Sequence, residues 1–227
     1  MITVDPECSG TYPGLCVGFL ALDGVSSAAG SGQRALDLRR AELEAELRRH
    51  LSGIDKATLA TLPPFPAYAA YYKRFKKTYH VLLQLESVAL KGRAIASPGA
   101  LVQAMFMAEL ESRLLTAGHD LDSVEGPIVV RAAAGHEEFI TLDGQERRLK
   151  ADDLHMADNA GVISSIIYGP DSRTRIHPGT GRVLYTVYGV PGIEPKEIEL
   201  HLERLGEYVT LAAPDASVEE RRVLTTS

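Results

Sequence analysis

Apolar and polar positions follow two rhythms along this chain, helical in the first half and strand-like in the second. Residues 15–22 (LCVGFLAL) form an unbroken apolar run closed by Asp23-Gly24, the pattern of a buried strand entering a tight turn. Gly30-Ser31-Gly32 reads as a flexible turn. Over residues 33–50, Leu36, Leu43 and Leu47 recur at helical spacing and continue to Leu51, with Glu44 and Arg48 as an i,i+4 pair and Gly53 as a stop. Pro63-Pro64-Phe65-Pro66 is a rigid connector to helices over residues 68–77 and 80–90. Ser97-Pro98 announces a fourth helix, with Ser97 as cap, carrying Leu101, Val102, Met105, Phe106, Leu110 and Leu114.

After His119 the rhythm changes. Residues 127–131 (PIVVR) read as a strand, and residues 139–142 and 145–149 flank Asp143-Gly144, a strong hairpin signal. Residues 161–169 (GVISSIIYG) and 182–190 (RVLYTVYGV) are strands by their β-branched and aromatic content. A last amphipathic helix begins at Pro195 and stops at Gly206, residues 207–213 return as a strand, and residues 214–227 form a loose polar tail. Helices followed by strands exclude a regular alternating fold and predict an α+β architecture. The expected organisation is a single domain over residues 1–213, with a helical part at 33–78 and a core at 80–190.

Composition narrows the function classes. Apolar residues make up 45% of the 227 and charged ones 24%, ordinary for a globular chain. The start lacks the features of a signal peptide and no apolar run approaches membrane-spanning length, so a cytoplasmic protein without a membrane partner is expected. Cys8 and Cys16 have neither a second pair nor a histidine cluster, and read as packed thiols rather than a disulfide framework or zinc site. A net charge of −6 argues against non-specific coating of nucleic acid, DNA included. Any RNA contact is local. Its candidates are Lys73, Arg74, Lys76 and Lys77, with Arg173 further on, although by local pattern alone the basic stretch reads first as a solvated helix face.

Phosphate-cradling, zincin and nucleophile-elbow signatures are absent, and neither a metal nor another cofactor is expected. Two polar clusters remain. Residues 118–122 (GHDLD) sit between the fourth helix and the next strand, where His119 beside carboxylates suits acid–base work or merely local loop chemistry. Residues 169–175 (GPDSRTR), followed by 177–180 (HPGT), bring small and polar groups to a strand end, where backbone N–H groups can approach a carbonyl or phosphate or simply form a turn.

Five stretches in order carry a resemblance: GALVQAMFMAELESRLLTAG, HDLDSVEGPIVVRAA, GHEEFITLDGQERRL, MADNAGVISSIIYG and RTRIHPGTGRVLYTVYG. Residues 99–182 resemble the editing module of the bacterial phenylalanyl-tRNA synthetase beta subunit, and its free-standing relatives more closely. The likeness is weaker over residues 15–98 and absent after about Val190. It implies a three-layer sandwich of β-sheets and helices with a pocket between helix and strand ends. In the synthetase that pocket takes the mischarged 3′ end of the tRNA and hydrolyses the aminoacyl ester. Carried over, it implies His119, Asp171 and Thr180 as catalytic candidates and Met105, Phe106, Ser164, Ser165, Tyr168 and Gly169 as substrate-binding ones. It also shows departures. Met105 and Phe106 stand where the family has a Thr-Asn pair, Ala117 stands where it has a histidine, and only Asp171 can replace its glutamate, so tyrosine editing is not supported. The expected partner is an aminoacyl-tRNA, hydrolysed in trans. The alternative is a non-catalytic module holding a tRNA end, an amino acid or a small amphiphile.

Overall fold

A computed structural model describes residues 2–25 and 31–226. In chain order these form β1 (Ile2–Val4), α1 (Cys8–Thr11), β2 (Cys16–Asp23), α2 (Ser31–His50), α3 (Lys56–Leu59), α4 (Phe65–Arg74) and α5 (His80–Leu85), which runs on as a π-helical turn. Then come α6 (Ala100–Ser112), β3 (Thr116–Asp120), β4 (Ile128–Ala132), β5 (Glu138–Ile140), β6 (Glu146–Arg148), β7 (Leu154–Asp158), β8 (Gly161–Ser165), β9 (Gly169–Pro170), β10 (Arg182–Gly189), α7 (Pro195–Ala212) and β11 (Ser217–Thr225). The class is α+β, as the order of elements predicts.

Three layers follow from which faces are apolar. A four-stranded sheet, ordered β11-β2-β10-β3, is the central layer, and a five-stranded sheet, β1-β4-β7-β8-β9, is an outer one. β10 shows the reason, because its side chains alternate between the two neighbours. Tyr185 turns to the helices, its OH donating to Leu101 O at 2.9 Å, while Tyr188 turns to the other sheet and meets Ser164 Oγ at 2.5 Å. β2 is buried along its length except at Asp23, as a strand paired on both edges and covered on both faces must be. α2, α6 and α7 form the helical layer. Gln103, fully buried on α6, ties that layer together by donating to Asp37 on α2 at 3.1 Å.

The short helices dock through tyrosines whose rings are buried and whose hydroxyls reach the sheets. Tyr68 donates to Tyr188 O, Tyr72 to Ile166 O, both at 2.7 Å, and Tyr71 to Asp153 Oδ1 at 2.8 Å. Cys8 and Cys16 are free and buried.

Several local expectations are corrected. Gly206 does not end α7: Ile198, Leu202, Leu205, Val209 and Ala212 continue one buried stripe through it, so residues 207–212 are helix, not strand. The expected tail contains β11, paired antiparallel with β2. Its Glu and Arg residues suit an outer strand, where charge discourages further pairing. Residues 161–169 break into β8, a turn and the start of β9. Ser97 is not the cap of α6; that position is Gly99, and Ser97 Oγ bonds the Gln103 side chain. α4 begins inside the expected proline connector, with Pro66 in its first turn and Phe65 anchored in the core. Gly30 lies outside the described residues, while Ser31 and Gly32 open α2. β1 and β7 were not anticipated.

Candidate functional site

The cluster at 118–122 is not a loop between elements. His119 and Asp120 belong to β3, held by pairing with β10 in the register Val183↔Asp120 to Val187↔Thr116. That assignment decides where side chains go, because neighbours on a strand face opposite ways. Gly118 faces α6: a Cβ there would lie 3.3 Å from Met105 Sδ. His119 therefore faces away from α6. It is fully buried, with Nδ1 2.7 Å from Thr174 Oγ1 and Nε2 without a partner among the described residues. Burial pushes its pKa down to about 3, so the ring is neutral.

β3 ends its sheet, and the space beside it is bounded by α6 on one side and the β8–β9 turn on the other. Between them lies a cavity of about 430 Å³. Its apolar wall includes Val102, Met105 and Phe106 of α6, Leu115 and Ala117, and Ile166. Ser165 and Gly169 line the opposite side, and Arg175 and His80 contribute cationic or titratable groups. Four of the six expected substrate-binding residues, Met105, Phe106, Ser165 and Gly169, are thus together on one cavity.

The other candidates lie elsewhere. Ser164 is fully buried against Tyr188 OH, behind the wall. Tyr168 packs on Phe139 at 6.5 Å and receives Lys77 Nζ 4.4 Å from its ring centre. Asp171 accepts from Thr174 N–H at 3.0 Å and from Thr174 Oγ1, which links it to His119 in one buried polar network. Burial raises the Asp171 pKa. Thr180 Oγ1 accepts from His177 N–H at 3.0 Å. None of His119, Asp171 and Thr180 is on the cavity wall.

Among the basic candidates, Lys73, Lys76 and Lys77 are exposed at the end of α4 and in the turn after it. Partial desolvation of its ammonium, then repulsion from Lys150 and Arg147, lowers the Lys77 pKa. Arg74 lies over the Tyr12 ring at 4.9 Å and 3.7 Å from Asp152. Arg173 is engaged by both oxygens of Asp158, at 2.8 and 2.9 Å, and by Ser123 O.

Glu109 was missed from the sequence. It is 1% exposed and lines the cavity, its Oε1 accepting from Thr116 N–H at 2.8 Å and its Oε2 unpartnered among the described residues. Burial raises its pKa to about 8, against the lesser opposing pull of the Thr116 N–H. The signal available was a lone acid four residues after Met105, on the same helix face. Among the described residues no group of three His, Cys, Asp or Glu side chains converges as a metal site, and no helix is long and apolar enough to cross a membrane.

The family described as the B3/4 domain matches residues 89–209, just over half of the chain and the whole of the cavity-forming α6–β3–β8–β9 region. The phenylalanine–tRNA ligase beta subunit of Leifsonia xyli subsp. xyli is 39% identical over 95 residues, 42% of this chain and 11% of that protein. Its counterpart from Aquifex aeolicus is 45% identical over 62 residues, covering 25% and 8%. The match thus spans about a tenth of the length of these curated relatives. Among solved structures, an N-terminal fragment of the phenylalanyl-tRNA synthetase beta subunit from Pyrococcus horikoshii aligns with 98% of this chain and 50% of its own, at 14% identity and a TM-score of 0.49.

Proposed function

The chain belongs to the B3/4 domain family, and from that premise we propose that its cavity takes the aminoacylated 3′ end of a transfer RNA and hydrolyses the ester in trans. The single observation that carries this is the cavity itself. It joins an apolar wall suited to an amino-acid side chain to a face of small and polar groups at Ser165 and Gly169. An aminoacyl ester is already activated, so orienting it beside a water in a site shielded from bulk solvent lowers much of the barrier without a metal. In this reading Ser165 and Gly169 border the ester, and the His119–Thr174–Asp171 network stiffens the strand and loop behind it. Water adds to the ester carbonyl, the tetrahedral intermediate collapses, and the amino acid leaves as the ribose hydroxyl recovers a proton.

The RNA is assigned a local path. Lys77, Lys150 and Arg147 crowd like charges beside Tyr168, one residue before Gly169 of the cavity, and a phosphodiester relieves that repulsion.

The test is a panel of mischarged tRNAs incubated with the protein and with Val102→Trp, which fills the cavity. Deacylation of at least one member by the wild-type protein, reduced at least 10-fold in V102W, is expected. No release above the V102W rate on any member would reject hydrolysis. A second reading, ligand binding without chemistry, is favoured by the distance of His119, Asp171 and Thr180 from the wall. On it, the same panel shows protection of the ester rather than release.

A further inference from the structure

Among the described residues Glu109 is the one acid in the cavity wall, and its surroundings leave it half satisfied. Oε1 has the Thr116 N–H, Oε2 has nothing among the described residues, and burial and that N–H are the influences on its ionisation. A buried acid in a wall of Val102, Met105, Phe106, Leu115 and Ile166 is costly unless something entering the cavity pairs with it. Arg175 borders the same cavity and is exposed, with Nη1 donating to Ser172 O at 3.0 Å. An enclosed acid, an apolar wall and an exposed cation together fit a ligand with a positive head, an apolar side chain and an oxygen-rich portion.

We infer that Glu109 is the recognition residue for a protonated primary amine, which Oε2 receives while the ligand's apolar part packs on the α6 wall. This makes the ligand class an α-amino ester or amine rather than any apolar acyl group. It rests on the cavity being the ligand site but not on hydrolysis. Charge complementarity supports amine over hydroxyl: a cation stabilises an ionised carboxylate in an apolar wall far more than a neutral donor does.

With no cation beside it Glu109 is protonated at neutral pH, because burial raises its pKa to about 8. An arriving ammonium favours the carboxylate, so binding at pH 7 releases a proton. Other groups facing the site do not imitate this. Of the titratable groups in the wall, desolvation lowers the His80 pKa and burial raises that of Tyr188.

The experiment is titration calorimetry at pH 7 with alaninol, leucinol and phenylalaninol, each beside the diol in which hydroxyl replaces the amine, in two buffers of different ionisation enthalpy. At least one amino alcohol is expected to bind 10-fold or more tightly than its diol, releasing close to one proton. Glu109→Gln is expected to abolish both the preference and the release. Equal binding of diol and amine, no binding by any amino alcohol, or a preference surviving in E109Q overturns the assignment. The wild-type comparison needs no variant to fold. Deacylation measured on the same samples separates the two ideas: activity without amine preference sinks only Glu109's role, and absence of both activity and any ligand binding sinks the cavity reading as well.

Discussion

Glu109 makes the sharpest prediction at the scale of single residues. A carboxyl whose pKa rises from 4.5 to about 8 on folding binds its proton more tightly in the native state. Its contribution is present below pH 4.5 and is lost as pH climbs through 8. Glutamine removes the linkage and keeps the shape. Urea denaturation at pH 5 and pH 8.5 is therefore expected to show wild type losing at least ~1 kcal/mol relative to E109Q between the two, since each tenfold change in proton affinity is worth about 1.4 kcal/mol. A difference that does not change with pH rules out the raised pKa. His119 works in the opposite sense: buried and neutral, with a pKa brought down to about 3, it penalises folding as pH falls below 6.5.

At the scale of elements, the close approach of α7 to the central sheet depends on two glycines. A Cβ at Gly18 of β2 would fall 2.3 Å from Ile198 Cγ2, and one at Gly189 of β10 would fall 2.5 Å from Ile198 Cδ1 and 2.9 Å from Cys16 O. The first clash is with the end of a side chain that can turn, the second also with backbone that cannot move without disturbing the β2–β10 ladder. Both Gly18→Ala and Gly189→Ala are expected to destabilise, by ~1–3 kcal/mol, with G189A the worse. Denaturation midpoints of the two variants check the order, and a G189A milder than G18A contradicts the argument. The same packing explains α7's length, since its buried stripe passes Gly206 and ends at Ala212.

Taken whole, the molecule carries a charge of −6 yet gathers Lys77, Lys150 and Arg147 in one patch by Tyr168. Long-range attraction to RNA is weak at that charge, so the proposed tRNA binding rests on that patch. Each phosphate contact to single-stranded nucleic acid contributes about 0.7 to the slope of log affinity against log salt. The double variant Lys77→Glu, Lys150→Glu is therefore expected to flatten the slope for tRNA by at least ~1.4, from two contacts. Filter binding from 50 to 300 mM salt reads it directly. An unchanged slope moves the RNA elsewhere on the surface.

The residues themselves determined most of the element list. The apolar run before Asp23, the heptad-like leucines of α2, the Asp143-Gly144 hairpin and the period of α6 are local patterns, and local sterics and burial suffice to interpret them. So too the α+β class and the order of stretches that marks the family. Membership of the cavity is another matter. Gly118 and His119 are adjacent in sequence, yet one faces Met105 and the other Thr174, because β3 pairs with β10 and a strand sends neighbours to opposite faces. Glu109 is one acid among many until α6 is docked and leaves its Oε2 unpaired. β11 has too little apolar alternation to announce itself, and exists because β2 offers it a free edge. Pairing and docking are long-range events, and they, not local propensity, chose which polar groups border the hollow.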